Sequence, residues 1–389
     1  MSKKKLYEVE RFSKLIIERL ASSPYKDSTT VIDIGAGQGY LTHRLTTQHP
    51  CVAVDFDTIQ TVGSTARGND IRKGKFKDSR IDMKLKSKPQ PRKPITYKTA
   101  HMNQDTLISL VKDLESDPEC ESKDFCLVGL HACGDLSATA MLTTFRDCES
   151  VKTIAVVPCC FNLLTTECET VHGSNQTHFG FPISKHIQSL STIHSLSLPH
   201  TARNLACQNF DSFSAGTIES SLHNHYKRAL LSALLAHYNL EAETQEPERG
   251  PSTFASGAEE GQPTAELCSS NIEKKYHKFR LNKLSPEALK GPFVPYAVEA
   301  VACLGLAGKL SREQIEEFAT LERYKNAERE VFVVHCVRSL LARVVESLLL
   351  MDRYLFLSEM GKDIRFEMRN LFDIGESPRN MVFIAEKIK

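Results

Sequence analysis

The sequence predicts an α/β fold: a seven-stranded, mostly parallel sheet with an antiparallel last strand, interrupted by a largely helical insertion. Three observations lead there. Five short β-rich runs alternate with helical patterns over the first 160 residues. The first run stops in a glycine-rich turn that opens a helix, as in a β-α-β unit. The chain ends in a long amphipathic helix followed by two strand-like runs.

Val9, Phe12, Leu15, Ile16, Ile17 and Leu20 recur near helical spacing, and Ser22-Ser23-Pro24 ends that helix. Thr30 to Ile34 is the first strand, Tyr40 to Thr46 resumes a helical pattern, and Cys51 to Asp55 is the second strand. Ile95-Thr96-Tyr97 is a third, followed by a helix around Leu107 to Leu114. Phe125 to Leu130 and Thr153 to Val157 are the fourth and fifth, with a helical Ser137 to Phe145 between them. Nearly all five are continuous apolar runs, as expected for a parallel sheet covered on both faces. Residues 161–330 break the rhythm and read as an insertion or lid, with helices near Ser221 to Tyr238 and Tyr296 to Leu304. Within it, 241–262 is rich in Glu, Gly, Pro and Ser and reads as a flexible linker. Val331 to Leu357 is the long helix; Ile364 to Leu371 and Met381 to Ala385 then complete the sheet begun in 1–160.

Composition sets limits on function. The chain has 389 residues, 41% of them hydrophobic, which excludes wholesale disorder. A formal charge of +1 gives no global attraction to nucleic acid, so such binding would need a local patch. One is available: residues 64–94 hold eleven Lys or Arg against three Asp, an excess of eight. The start of the chain is amphipathic rather than continuously apolar, and five charges interrupt Val331 to Leu357, so neither a secretory signal nor a membrane span is expected. Twelve cysteines without a repeated spacing suggest free thiols and a cytoplasmic or nuclear location.

The glycine turn is Asp33-Ile34-Gly35-Ala36-Gly37-Gln38-Gly39. Gly35, Gly37 and Gly39 let backbone approach a ligand, and the next helix aims its free N–H groups at the same spot. A dinucleotide or S-adenosylmethionine fits such a turn. The spacing G-x-G-x-G differs from the dinucleotide fingerprint G-x-G-x-x-G. Asp33 would also repel a pyrophosphate, whereas it suits a methionine ammonium, directly or through water. Asp55, 22 positions later at the end of the second strand, can accept both ribose hydroxyls. Asn103, Gln104 or Asp105, after the third strand, could meet the adenine amino group or serve as a turn and helix cap.

Ligands in open α/β sheets sit outside the carboxyl ends of the strands. His131-Ala132-Cys133-Gly134-Asp135 and Pro158-Cys159-Cys160 end two neighbouring strands. His131 could serve as a general base, contact the cofactor, or shape the pocket by a hydrogen bond. Asp135 reads most simply as the cap of the following helix. Cys133, Cys159 and Cys160 admit three readings: nucleophiles, as in base C5-methyltransferases; zinc ligands with His131; or small buried thiols lining the pocket. Adjacent cysteines are a poor chelating spacing, so no metal is expected and the buried-thiol reading is preferred. A zinc deaminase would need H-x-E with P-C-x-x-C, and Ala132-Cys133 follow His131 here.

With these residues in view, the chain resembles the methyltransferase-like 25 family, including its ribosomal-RNA-adenine-dimethylase-like branch, among the class I, Rossmann-like methyltransferases. Lys4 to Val9, Asp33 to Leu41, Gly129 to Leu136, Cys159-Cys160, Arg203 to Gln208, Glu346 to Arg353 and Ser377 to Asn380 carry the resemblance. The His-x-Cys-Gly-Asp and Cys-Cys elements are also similar to 2′-O-methyltransferases of the tRNA acceptor stem. Phe161-Asn162 depart from the family's usual Tyr or His followed by His or Met. The resemblance implies an S-adenosylmethionine-dependent enzyme. The basic 64–94 segment points to RNA, ribosomal or transfer, or to a ribosome-associated substrate. Protein methylation and a non-catalytic adenosylmethionine-binding module are the alternatives.

Overall fold

The computed structural model describes residues 2–72, 93–118, 120, 122–167, 178–208, 215–240, 284–325 and 327–388. Most of the basic segment (73–92) and all of 241–262 lie outside the described residues. The chain forms two compact units, Met1–Ser212 with Ser339–Lys389, and Phe213–Arg338. Residues 161–208, grouped by sequence with the insertion, therefore fall in the first unit, because the strand-end loops continue into them.

The first unit is a seven-stranded sheet of order β3-β2-β1-β4-β5-β7-β6. Its strands are β1 (Thr29–Ile34), β2 (Cys51–Asp55), β3 (Ile95–Thr99), β4 (Asp124–Ala132), β5 (Val151–Pro158), β6 (Ile364–Asn370) and β7 (Met381–Lys387). Strands β1 to β5 pair in parallel. Strand β7 runs antiparallel to both β5 and β6, the Rossmann-like class I arrangement expected from the sequence. The strand order reverses between β1 and β4, and open α/β sheets bind ligands at such a switch point, outside the carboxyl ends of the strands.

Alternation along each strand divides the core in two. Ile32, Ile34, Val52, Val54, Leu127, Ile154, Val156 and Phe383 face one layer, packing on Leu107, Val111, Met141 and Phe145. Val31, Cys126, Val128, Ala155, Val382 and Ile384 face the other, under α1 (Lys3–Ala21) and α2 (Tyr40–Leu45). In α1, Val9, Phe12, Ile16 and Leu20 recur at spacings of three and four and are all buried. Burial of each such side chain contributes about 1.5–3 kcal/mol. The Ser2 hydroxyl accepts the Lys5 N–H at 3.2 Å and starts that helix.

Helices α3 (Thr58–Arg72) and α4 (Gln104–Ser116) follow β2 and β3. After β4 the chain makes a 3₁₀ turn (Gly134–Leu136), a π-helical stretch (Ser137–Leu142) and the short α5 (Thr143–Asp147), where sequence predicted one helix. Helices α6 (Lys185–His194) and α7 (His200–Ala206) come after β5. The second unit is helical: α8 (Ala215–His237), α9 (Pro286–Lys290), α10 (Phe293–Cys303), α11 (Arg312–Ala319) and α12 (Glu322–Lys325). Leu231, Leu234, Tyr296, Ala297, Ala300 and Phe318 form its own core. The last helix, α13 (Ala327–Ser358), begins in this unit and ends in the first. Among the described residues, no helix is long and apolar enough to cross a membrane.

Candidate functional site

A cleft of about 420 Å³ opens at the carboxyl ends of β1 and β2, lined by Lys5, Gly35 to Gln38, Tyr40, Asp55 to Asp57 and Gln60. Gly35, Gly37 and Gly39 all have positive φ, at 72°, 54° and 70°. The requirement is strictest at Gly39, the N-cap of α2, where an added Cβ would also strike the Ser64 hydroxyl. Asp55 Oδ2 accepts the Gly37 N–H at 2.8 Å, and Oδ1 accepts the Asp57 N–H at 3.0 Å. The carboxylate is thus fixed at the rim with lone pairs to spare for two hydroxyls. Phe56, beside it, is 60% exposed and offers an apolar face to the same cleft; the sequence reading overlooked it.

Asp33 and Asp55 end adjacent strands on one side of the molecule. Asp33 is buried beneath the turn rather than lining the cleft, and accepts the Thr42 hydroxyl at 2.5 Å. Burial pushes its pKa up to about 6, against the bond from Thr42 and the charge of Lys5. The group that reaches the cleft from this side is Lys5 on α1.

The three residues after β3 do not line the cleft. Asn103 is an exposed helix cap: its side chain accepts the Thr106 N–H at 2.9 Å while the Thr106 hydroxyl accepts the Asn103 N–H at 2.8 Å. Asp105 sits in the first turn of α4, where its charge suits the helix dipole. Gln104 turns toward Asp147. The capping function accounts for the polar run, as Asn followed by Thr at N3 is a capping box.

At the ends of β4 and β5 the structure brings together residues distant in sequence. His131 ends β4 with φ 65°, a left-handed conformation that a side chain takes only when its surroundings impose it. Its Nε2–H donates to Glu8 Oε2 at 2.9 Å, and the Ser377 hydroxyl donates to Glu8 Oε1 at 2.7 Å. With Nε2 held by a carboxylate, the lone pair of the neutral ring sits on Nδ1. Burial raises the Glu8 pKa, but the bonds from His131 and Ser377 outweigh it and hold the carboxyl below its ordinary value. Glu8 lies in a stretch that carried the family resemblance, yet nothing in its spacing disclosed a partner 123 positions away.

Asp135 is not a helix cap. Its carboxylate accepts the Thr165 N–H at 2.8 Å and the Thr165 hydroxyl at 2.7 Å, tying the β4 loop to the chain after β5. Helix-cap geometry is unavailable because the segment begins as a 3₁₀ turn capped at Cys133. The cysteines are more than scattered thiols. Cys133 Sγ lies 3.1 Å from both Cys159 Sγ and Cys160 Sγ, and the latter two are 3.5 Å apart. Hydrogen bonds from Cys133 and Cys159 pull the Cys160 thiol down to about 3, while the bonds of Cys159 to Cys133 and Cys160 push its own thiol up.

Phe161, the departure from the family pattern, is buried between two guanidinium groups, those of Arg353 and Arg379, 5.9 and 6.0 Å from its ring centre. Arg379 pairs with Glu346 at 2.7 Å, and buried Arg353 donates to the Gly180 and Leu349 carbonyls. Asn162 donates its N–H to Cys207 Sγ at 3.3 Å. The stretches 203–208, 346–353 and 377–380, noticed in the sequence without a role, thus converge on the segment after β5. Arg67, counted among the basic residues of 64–94, stacks on Tyr40 and donates to its hydroxyl at 3.0 Å, so it serves the turn.

Comparison with known proteins agrees with this architecture. Residues 4–167 match the family described as "Methyltransferase domain". The chain is 25% identical over 284 residues to "Probable methyltransferase-like protein 25" of Mus musculus, and 26% identical over 283 residues to its Homo sapiens counterpart. Each alignment covers 72% of this chain but only 39% and 38% of the relative, so the chain spans about two fifths of the length of the curated relatives it matches. Residues 4–167 carry a methyltransferase domain, and the resemblance to methyltransferase-like 25 proteins read from the motifs holds, while these matches do not single out the ribosomal-RNA-adenine-dimethylase-like branch.

Proposed function

We propose that this chain is an S-adenosylmethionine-dependent methyltransferase whose acceptor is RNA. The observation that carries the cofactor reading is the cradle at the β1–β2 edge: three positive-φ glycines, a rim carboxylate fixed by the Gly37 N–H, and an exposed Phe56. S-adenosylmethionine supplies an activated methyl group on a sulfonium. Asp55 would take the ribose hydroxyls, each bond to the charged group contributing about 1.5–3 kcal/mol, and Phe56 would cover the adenine. Lys5 lies where it would meet the methionine carboxylate. Asp33, below the turn, would balance the ammonium.

The chain's own contribution to transfer is positioning and water exclusion. Glu8 holds His131 by Nε2, which orients Nδ1 as the basic nitrogen for an acceptor that must lose a proton. The Asp135–Thr165 bonds fix the β4 loop beside it. The RNA reading is supported by the excess of eight positive charges in 64–94 and by the similarity of the His-x-Cys-Gly-Asp and Cys-Cys elements to RNA methyltransferases. Phosphate contacts would come from the lysines of 73–93, since Arg67 is engaged on Tyr40.

Two measurements test this. Calorimetry of the full chain with S-adenosylmethionine is expected to show one site; no binding refutes the cofactor reading. RNA affinity against salt is expected to follow a slope of roughly −0.7 per single-strand phosphate contact. Replacing the lysines between 73 and 93 by serine should flatten that slope. An unchanged slope, with methyl label recovered in protein instead, refutes the RNA reading.

A further inference from the structure

The three sulfurs at the ends of β4 and β5 form a closed triangle from residues 26 and 27 positions apart in sequence, with sides of 3.1, 3.1 and 3.5 Å. The sequence argued against chelation because adjacent cysteines are a poor chelating spacing; in a strand, neighbouring side chains would point to opposite faces. That premise fails at this point. Strand β5 ends at Pro158, and Cys160 has φ −84° and ψ 74°, off the strand conformation. Both adjacent sulfurs consequently turn to the same side and meet Cys133.

The triangle has the dimensions of a metal-binding face. Zinc–sulfur bonds are about 2.3 Å, and an ion at that distance from all three sulfurs sits about 1.3 Å above their plane with no sulfur displaced. Relaxing to tetrahedral spacing moves each sulfur outward by only about 0.3 Å. Three thiolates with a divalent ion leave one negative charge. All-thiolate sets select zinc, copper(I) or iron–sulfur clusters over magnesium and calcium. Cys207, the next sulfur in the neighbourhood, is engaged with Asn162, whose Oδ1 lies 3.3 Å away.

We propose that Cys133, Cys159 and Cys160 form a trithiolate zinc site, its fourth position taken by water or an incoming ligand. The site stands independently of the adenosylmethionine reading. Three protein ligands and one exchangeable position are the pattern of zinc sites that act on a bound molecule rather than only brace a fold.

The test uses the full chain purified under reducing conditions, with zinc measured by mass spectrometry. About one zinc per chain is expected. Cys133→Ser, Cys159→Ser and Cys160→Ser should each lower it more than tenfold, and Cys207→Ser should retain it. Should a serine variant misfold, wild-type protein stripped of metal and titrated with Co²⁺ answers the same question: thiolate-to-cobalt charge transfer with tetrahedral d–d bands is expected, both bleached by zinc. Zinc near zero with no cobalt spectrum, a disulfide among the three cysteines, or zinc retained in all three serine variants overturns the proposal. Copper(I) bound in preference to zinc overturns the choice of ion. If calorimetry shows no adenosylmethionine binding while zinc is present, the cofactor reading fails and the metal site stands.

Discussion

Glu8→Gln is the most informative single change at the strand ends. Glu8 is 1% exposed, and its two oxygens meet His131 Nε2 at 2.9 Å and the Ser377 hydroxyl at 2.7 Å, with Lys4 Nζ at 3.8 Å. Glutamine has the same shape but keeps only one acceptor, and its amide turns a donor toward one of two donors. A hydrogen bond to a charged group is worth about 1.5–3 kcal/mol, so the variant should lose about that much stability at pH 7. The sign with pH follows from the depressed carboxyl. Its stabilisation is fully present above the unfolded-state value of 4.5 and is lost as pH falls through the lower folded-state value. Glutamine does not titrate, so the gap between wild type and variant should narrow below pH 4.5. Urea midpoints from pulse proteolysis, taken at pH 7 and near pH 4, measure both gaps. A gap at pH 7 under about 0.5 kcal/mol, or one unchanged at the lower pH, would refute the account of Glu8 as an ionised anchor.

Other expectations concern the cleft and the segment after β5. Asp33→Asn should weaken adenosylmethionine binding by calorimetry while stabilising the free protein above pH 6. The raised acid of the wild type gives stability that is complete below 3.8 and lost as pH rises through about 6, and asparagine has no such loss. Gly39→Ala should cut cofactor affinity at least tenfold, since φ 70° costs an L-residue about 1–2 kcal/mol before the collision with Ser64 is added. Gly37→Arg should abolish binding by filling the cleft and, because φ is 54° there, should also cost about 1–2 kcal/mol of stability, read from the urea midpoint. Arg379→Ala should destabilise the first unit by roughly 2 kcal/mol or more, because it leaves Glu346 with only the exposed Arg343 and strips one cation from the Phe161 ring; hydrogen exchange of β7 reads this.

The sheet was legible because its signals are local. Continuous apolar runs such as Phe125–Leu130 mark strands buried on both faces, and the glycines at 35, 37 and 39 mark a turn whose backbone angles few other residues take. The last helix and hairpin were equally plain: α13 is a long helix, β6 alternates in sequence, and β7 is a continuous apolar run. Short helices such as α6, α7, α9 and α11 went unread: with five to ten residues apiece they hold too few turns for periodicity to register. Asn103, Gln104 and Asp105 show the converse error. Polar residues after a strand serve a ligand or a helix start equally well in sequence, and only the Asn103–Thr106 capping box decides between them.

The strand-end site was half legible for a related reason. His131, Cys133, Cys159 and Cys160 stand out as chemically active types at strand ends, but their partners do not. Glu8 belongs to the first helix and Ser377 to the loop before β7, at opposite ends of the chain, and both reach the β4 end because α1 covers the face on which β7 closes the sheet. Thr165 and Phe161 follow β5, and Arg353 and Arg379 come from the C-terminal part. A buried carboxylate that holds a strained histidine, and two guanidiniums that hold a phenylalanine beside three sulfurs, are expensive to maintain without return. Structural needs alone would be met by apolar packing at both places. The cost is concentrated where β4 and β5 end, not in the second unit's larger hollow around Leu222 and Phe332, and that concentration is the physical reason to look for the reaction at this edge of the sheet.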